Sequence, residues 1–167
     1  MTAGEAGGGV GGGRGWGNIG RVAGGGVLVL LVAAGCALPR WPVDGRMTSP
    51  WGVRIRGGWF DFHHGVDVYV PSGTPVRAMK SGRVARAGMM SGYGLVVMID
   101  HGTDLRTIYA HLSRIDVRAG EQVRHQQVIG LSGATGNATG PHLHFEVIRW
   151  GRSDDPVPLL GGPPRGR

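Results

Sequence analysis

The sequence predicts an all-β domain built mostly of antiparallel strands. Three observations point there. Short apolar runs recur along the chain, punctuated by glycine, which supplies 34 of the 167 residues. Within many runs apolar and polar residues alternate, the period-two pattern of a half-buried strand. No segment sustains a helical period.

The expected strands are, in order, Val53–Arg56, Val66–Val70, Val76–Ala78, Gly82–Ala87, Leu95–Asp100, Leu105–Leu112, Gln127–Leu131 and His142–Arg149. Turn signals separate them, such as Gly57-Gly58, Pro71-Ser72-Gly73, Gly92-Tyr93-Gly94, Ala119-Gly120 and Gly140-Pro141. Short strands at this spacing describe an antiparallel sheet rather than a parallel one with crossover helices. The stretch Val117–Val123 followed by Val128-Ile129-Gly130 resembles the hairpin of biotinyl/lipoyl-like domains. The only lysine, Lys80, stands elsewhere, which excludes a swinging-arm carrier.

The last strand carries the most informative pattern. In His142-Leu143-His144-Phe145-Glu146-Val147 the apolar residues alternate with His142, His144 and Glu146, so all three polar side chains project from one face. In His63-His64-Gly65-Val66-Asp67 the even spacing puts His63 and Asp67 on one face of an extended segment, with Gly65 leaving that face open. His64 falls on the other. In Thr107–Leu112 the same rule groups Tyr109 with His111, opposite Ile108, Ala110 and Leu112. His63, Asp67 and His144 together would form a three-donor nitrogen and oxygen site that suits zinc and leaves a fourth position for water. His111 and His142 remain free for chemistry. His101 and His125 each stand alone, as structural or solvated histidines do.

An ordered series of motifs resembles the lysostaphin-type (LytM-like) zinc metallopeptidases, which cut peptidoglycan peptides. It comprises Ser49-Pro50-Trp51-Gly52-Val53-Arg54, His63…Asp67, Pro71–Val76, Gly92-Tyr93-Gly94, Ile99–Gly102, Tyr109–Leu112, Ile129–Gly136 and Thr139–Phe145. The likeness spans about Met47 to Leu160. It implies zinc on His63, Asp67 and His144, one ion per chain, with His111 and His142 as the non-ligand catalytic histidines. It implies a fold of duplicated, biotinyl/lipoyl-like hairpins. Some relatives have lost ligands and activate other wall hydrolases, so the alternative is a non-catalytic peptidoglycan-binding lipoprotein with an activating role. All five positions are filled here, which favours the enzyme.

The N-terminus looks like a targeting segment. Arg14 and Arg21 precede the apolar run Val27–Ala34, eight residues against the ~20 that span a bilayer. The sole cysteine, Cys36, follows at once and resembles the acylated residue of a bacterial lipobox. The expected organisation is a signal peptide over 1–35, a short tether over 36–46, the peptidase domain over 47–160 and a flexible tail over 161–167. One cysteine excludes an intrachain disulfide. Net charge is +7, suited to anionic wall polymers or acidic lipid head groups. No arginine run with interleaved aromatics appears, and with the export signal this argues against nucleic acid. The chain is therefore expected as a monomer in the cell envelope, bound to the membrane through its lipid and acting on peptidoglycan peptides.

With no His-Glu-x-x-His element, no helical glutamate base is present. Proton transfer would fall to His111 and His142, with Glu146 either orienting a ligand histidine or facing solvent.

Overall fold

The computed structural model describes residues 38–166, so the expected signal peptide and Cys36 lie outside the described residues. The described chain forms twelve strands and one short helix. The strands are β1 (Arg46–Ser49), β2 (Gly52–Arg56), β3 (Trp59–His63), β4 (Val66–Tyr69), β5 (Pro75–Arg77) and β6 (Gly82–Met90), then β7 (Gly94–Asp100), β8 (Leu105–Ile115), β9 (Gln122–Val123), β10 (Val128–Ser132), β11 (Leu143–Arg149) and β12 (Arg152–Asp154). The helix α1 covers Pro156–Leu159, with Asp155 capping it by accepting from Val157 N–H. Among these residues no helix is long and apolar enough to cross a membrane.

Every pairing is antiparallel, as expected. The main sheet runs β1-β4-β11-β8-β7-β6-β9; β10 joins β8 to β5, and β12 extends β11. β2 and β3 form a separate two-stranded ribbon. The expected hairpin of residues 117–123 with 128–130 does not form, because β9 pairs with β6 while β10 pairs with β5 and β8.

The period-two pattern sorts side chains onto two faces. Val66 and Val68 of β4, Val97 and Ile99 of β7, Tyr109 and Leu112 of β8, and Leu143, Phe145 and Val147 of β11 share one core. Tyr109 packs on Phe145 with ring centres 5.3 Å apart, and its hydroxyl accepts from Met79 N–H at 2.9 Å. A smaller apolar cluster of Val96, Ile108 and Ala110 lies on the opposite face. That second face carries the candidate site.

The packed domain starts earlier than the expected boundary at Met47. Val43 is buried, Trp41 meets the edge of Phe145 and donates from Nε1 to Gly162 O, and Arg77 N–H donates to Pro42 O. The stretch from Arg40 to Arg46, expected as tether, is thus bound to the fold because Trp41 and Val43 find core to bury in. At the far end Gly162 takes that indole bond and Pro164 is buried, so residues 161–166 also lie against the domain. All described core residues fall within the compact unit Gly35–Arg167, which therefore carries a complete hydrophobic core of its own.

Candidate metal centre

β11 sits between β4 and β8, with His144 opposite Asp67 on one side and Ala110 on the other. Leu143, Phe145 and Val147 are fully buried in the core, which fixes His144 and Glu146 on the other face. Val66 and Val68 do the same for Asp67. Two neighbouring strands thereby bring a carboxylate and an imidazole together through side-chain parity alone.

His63 arrives differently. It ends β3, and the chain bends at His64-Gly65 before β4 begins, so His63 and Asp67 do not share one extended segment. Gly65 keeps no face open. A Cβ there would run into Phe145 O, so glycine is what lets the bend press onto β11. His64 turns away, its Nδ1 3.1 Å from Ser153 Oγ.

Three donor atoms converge at this point. His63 Nε2 lies 3.1 Å from Asp67 Oδ1 and 3.1 Å from His144 Nδ1, and His144 Nδ1 lies 2.8 Å from Asp67 Oδ1. Ligand atoms around a tetrahedral ion with bonds of ~2.0–2.1 Å stand about 3.3 Å apart. Among the described residues, His63, Asp67 and His144 form the group placed to hold a metal.

Outer partners make each inner atom a donor of electrons. His63 Nδ1–H donates to Pro50 O at 2.7 Å, and His144 Nε2–H donates to Glu146 Oε1 at 2.9 Å. A carbonyl or carboxylate only accepts, so these bonds set both tautomers and leave lone pairs on His63 Nε2 and His144 Nδ1. Two lone pairs facing one carboxylate oxygen hold together only around a positive charge, a proton or a cation. Burial disfavours a charged His144, yet Asp67 and Glu146 outweigh it and push the imidazole up to about 9. Burial would likewise raise Asp67, but the His144 and His63 imidazoles beside it hold its carboxyl far below the usual range. The donor set and spacing fit a zinc-type ion.

The same device orients the other two histidines. His111 Nδ1–H donates to Thr135 O at 2.7 Å, and His142 Nδ1–H donates to Gly140 O at 2.8 Å. Their rings lie 4.7 Å apart, and His142 Nε2 is 3.8 Å from Asp67 Oδ1. Burial depresses the His111 imidazole, with His142 and His144 adding to this against the Thr135 carbonyl and Asp67.

His111 reaches the site by breaking the expected alternation. Tyr109, expected on its face, lies instead in the opposite core. His111 has φ +59°, and the β7–β8 register shifts between Leu95 and Val97, so the strand bulges there. The bulge turns His111 to the site side and returns Leu112 to the core.

Two further residues carried no sequence signal beyond their motifs. Tyr93 donates its hydroxyl to Glu146 Oε1 at 2.8 Å, which makes Glu146 a buried bridge rather than a solvent-facing residue. Arg54 places Nη1 3.7 Å from Asp67 Oδ2 and donates from it to Ser49 Oγ at 3.2 Å, while its Nε pairs with Asp61 at 2.9 Å, so a positive charge stands behind Asp67. His101 and His125 lie outside the group: His101 bonds Ser81 O and Thr107 Oγ1, and His125 N–H donates to Ser81 Oγ.

The chain is similar to several known proteins. The chain is 44% identical over 115 residues to the DD-carboxypeptidase/endopeptidase Mpg of Neisseria meningitidis, covering 67% of this chain and 26% of that protein. It is 37% identical over 123 residues to the murein hydrolase activator EnvC of Escherichia coli, covering 72% and 28%. It spans about a quarter of the length of these curated relatives. Among solved structures it is similar to the catalytic domain of the antimicrobial peptidase lysostaphin from Staphylococcus simulans, with 36% identity, a TM-score of 0.60 and coverage of 72% of this chain and 92% of that one. Residues 61–156 match the family model described as peptidase family M23, and the chain belongs to that family.

Proposed function

We propose that this chain is a zinc-dependent endopeptidase that hydrolyses peptide cross-links or stem peptides of bacterial peptidoglycan. The observation that carries the reading is the shared orientation of four imidazoles. His63, His111 and His142 give their Nδ1 protons to backbone carbonyls and His144 gives its Nε2 proton to Glu146, so each ring turns a lone pair toward one spot. His63 Nε2, Asp67 Oδ1 and His144 Nδ1 would hold the ion. When bound, zinc supplies Lewis acidity to the scissile carbonyl and to a water near neutral pH. His111, which burial keeps neutral, takes the water's proton at Nε2. His142 turns its Nε2 toward the developing oxyanion from the other side, and the proton taken up by His111 passes to the leaving amine. Glu146 and Tyr93 fix the ring plane of His144, and Arg54 adds positive charge behind Asp67. We place the protein in the cell envelope, exported and anchored by lipid on Cys36, acting as a monomer.

Purified sacculi treated with the protein test the reading. Cross-linked muropeptides should fall and free stems rise by mass spectrometry, with chelator stopping the change and zinc restoring it. A zinc-loaded protein that releases nothing alone, yet stimulates a second hydrolase, would move the assignment to an activator of the kind named among its relatives.

A further inference from the structure

Of nine large apolar side chains exposed among the described residues, five belong to the ribbon β2–β3. Val53 is 71% exposed, Ile55 72%, Trp59 80%, Phe60 83% and Phe62 41%. The register pairs Val53 with Phe62 and Ile55 with Phe60, which puts these four on one face. The other face carries Arg54 opposite Asp61, and Trp59 stands opposite Arg56 beside the tip. Gly57 and Gly58 both take positive φ, closing a tight turn between β2 and β3, which form a two-stranded sheet of their own. Only at its base is the apolar face covered, where Trp51 meets Phe62 edge-on at 5.1 Å.

We infer that this ribbon docks on an anionic lipid surface. The face holds two aliphatic and two aromatic side chains and no hydrogen-bonding group, so nothing on it selects a sugar or a peptide. Side chains of this size at these exposures leave roughly 500 Å² of apolar surface. A stable dimer buries ~800 Å² per partner, so a second copy of the ribbon falls short. A bilayer interface has no such minimum. It takes aliphatic groups to a depth of ~5–10 Å, accepts tryptophan at its boundary, and attracts a chain of net charge +7 when anionic. Docking would set His63, at the base of the ribbon, within about 17 Å of lipid, five residues of strand at ~3.3 Å each. The inference needs neither the metal nor acylation of Cys36.

The test uses the self-contained unit Leu38–Arg167, which lacks Cys36. It should sediment with vesicles of equal parts phosphatidylcholine and phosphatidylglycerol, less with phosphatidylcholine alone, and brominated lipid should quench its tryptophan fluorescence. Trp59→Ser with Phe60→Ser should weaken sedimentation by roughly tenfold or more. Zinc content, melting temperature and cleavage of soluble peptides should stay unchanged in that variant, which separates docking from the hydrolase reading. Equal vesicle binding by the two proteins would overturn the inference. So would a wild type that ignores vesicles, a loss seen only on sacculi, or a self-association that the double variant abolishes.

Discussion

β8 and β11 run side by side and supply the site from opposite kinds of backbone. β11 keeps strict alternation from Leu143 to Val147, with every odd residue buried in the core and His144 and Glu146 on the far face. β8 alternates only as far as Ala110, then takes φ +59° at His111 and recovers at Leu112. The regular strand carries a candidate ligand and the group that orients it. The bulged strand carries the histidine proposed to act beside the ion without binding it. Regular pleat suits atoms held at fixed spacing, whereas a bulge re-aims one side chain without disturbing its neighbours.

The largest effect should come from the regular side. His144→Ala and Asp67→Ala each remove one of three donors, and purified protein should lose bound zinc and all measurable cleavage. Stoichiometric metal in both variants by atomic emission would break the distinction between the strands. On the bulged side, His111→Ala should keep the metal while cleavage falls about a hundredfold to ten-thousandfold. His142→Ala should behave in the same way, although it stands just before the regular strand. Wild-type turnover in either would remove that histidine from the chemistry, and His64→Ala should change little.

The same contrast governs what could be foreseen from sequence. Alternation in 142–147 gave the correct face for His144 and Glu146 because β11 is regular. For His63 and Asp67 it gave the right partners by the wrong route, since a bend at His64-Gly65 replaces the extended segment. It misplaced Tyr109 beside His111 because a positive φ at a residue other than glycine leaves no mark in a hydrophobic pattern. β3 went unseen although Phe60 and Phe62 alternate with Asp61 and His63, because the run is only a few residues long and exposed up to His63. Tyr93 and Arg54 act across long sequence separations, Tyr93 on Glu146 at 53 residues, which no local spacing encodes. The all-β class, by contrast, depends on many short runs at once and survives single errors.

Glu146 sharpens the comparison at intermediate size. Because it fixes the His144 tautomer from the same strand face, Glu146→Gln should weaken zinc affinity by about 10–100-fold while leaving the fold intact. Tyr93→Phe, which removes one of the two bonds to Glu146 Oε1, should cost less. Competition with a chelating dye measures both. Unchanged affinity in Glu146→Gln would mean that β11 geometry alone sets the ligand.

The smallest effect tests the bulge itself. His111 is the only residue other than glycine with positive φ inside a described strand. A side chain in that conformation costs about 1–2 kcal/mol relative to glycine, while glycine loses ~0.5–1 kcal/mol more through the entropy of the unfolded chain. His111→Gly and His111→Ala both delete the imidazole and its bond to Thr135, so their difference isolates the backbone. The glycine variant should be more stable by roughly 0.5–1 kcal/mol, a rise of about 2–5 °C in Tm by calorimetry. An alanine variant that melts as high or higher would show that β8 bears no strain at His111. The histidine would then owe its direction to the Thr135 bond rather than to a bulge held against its own preference.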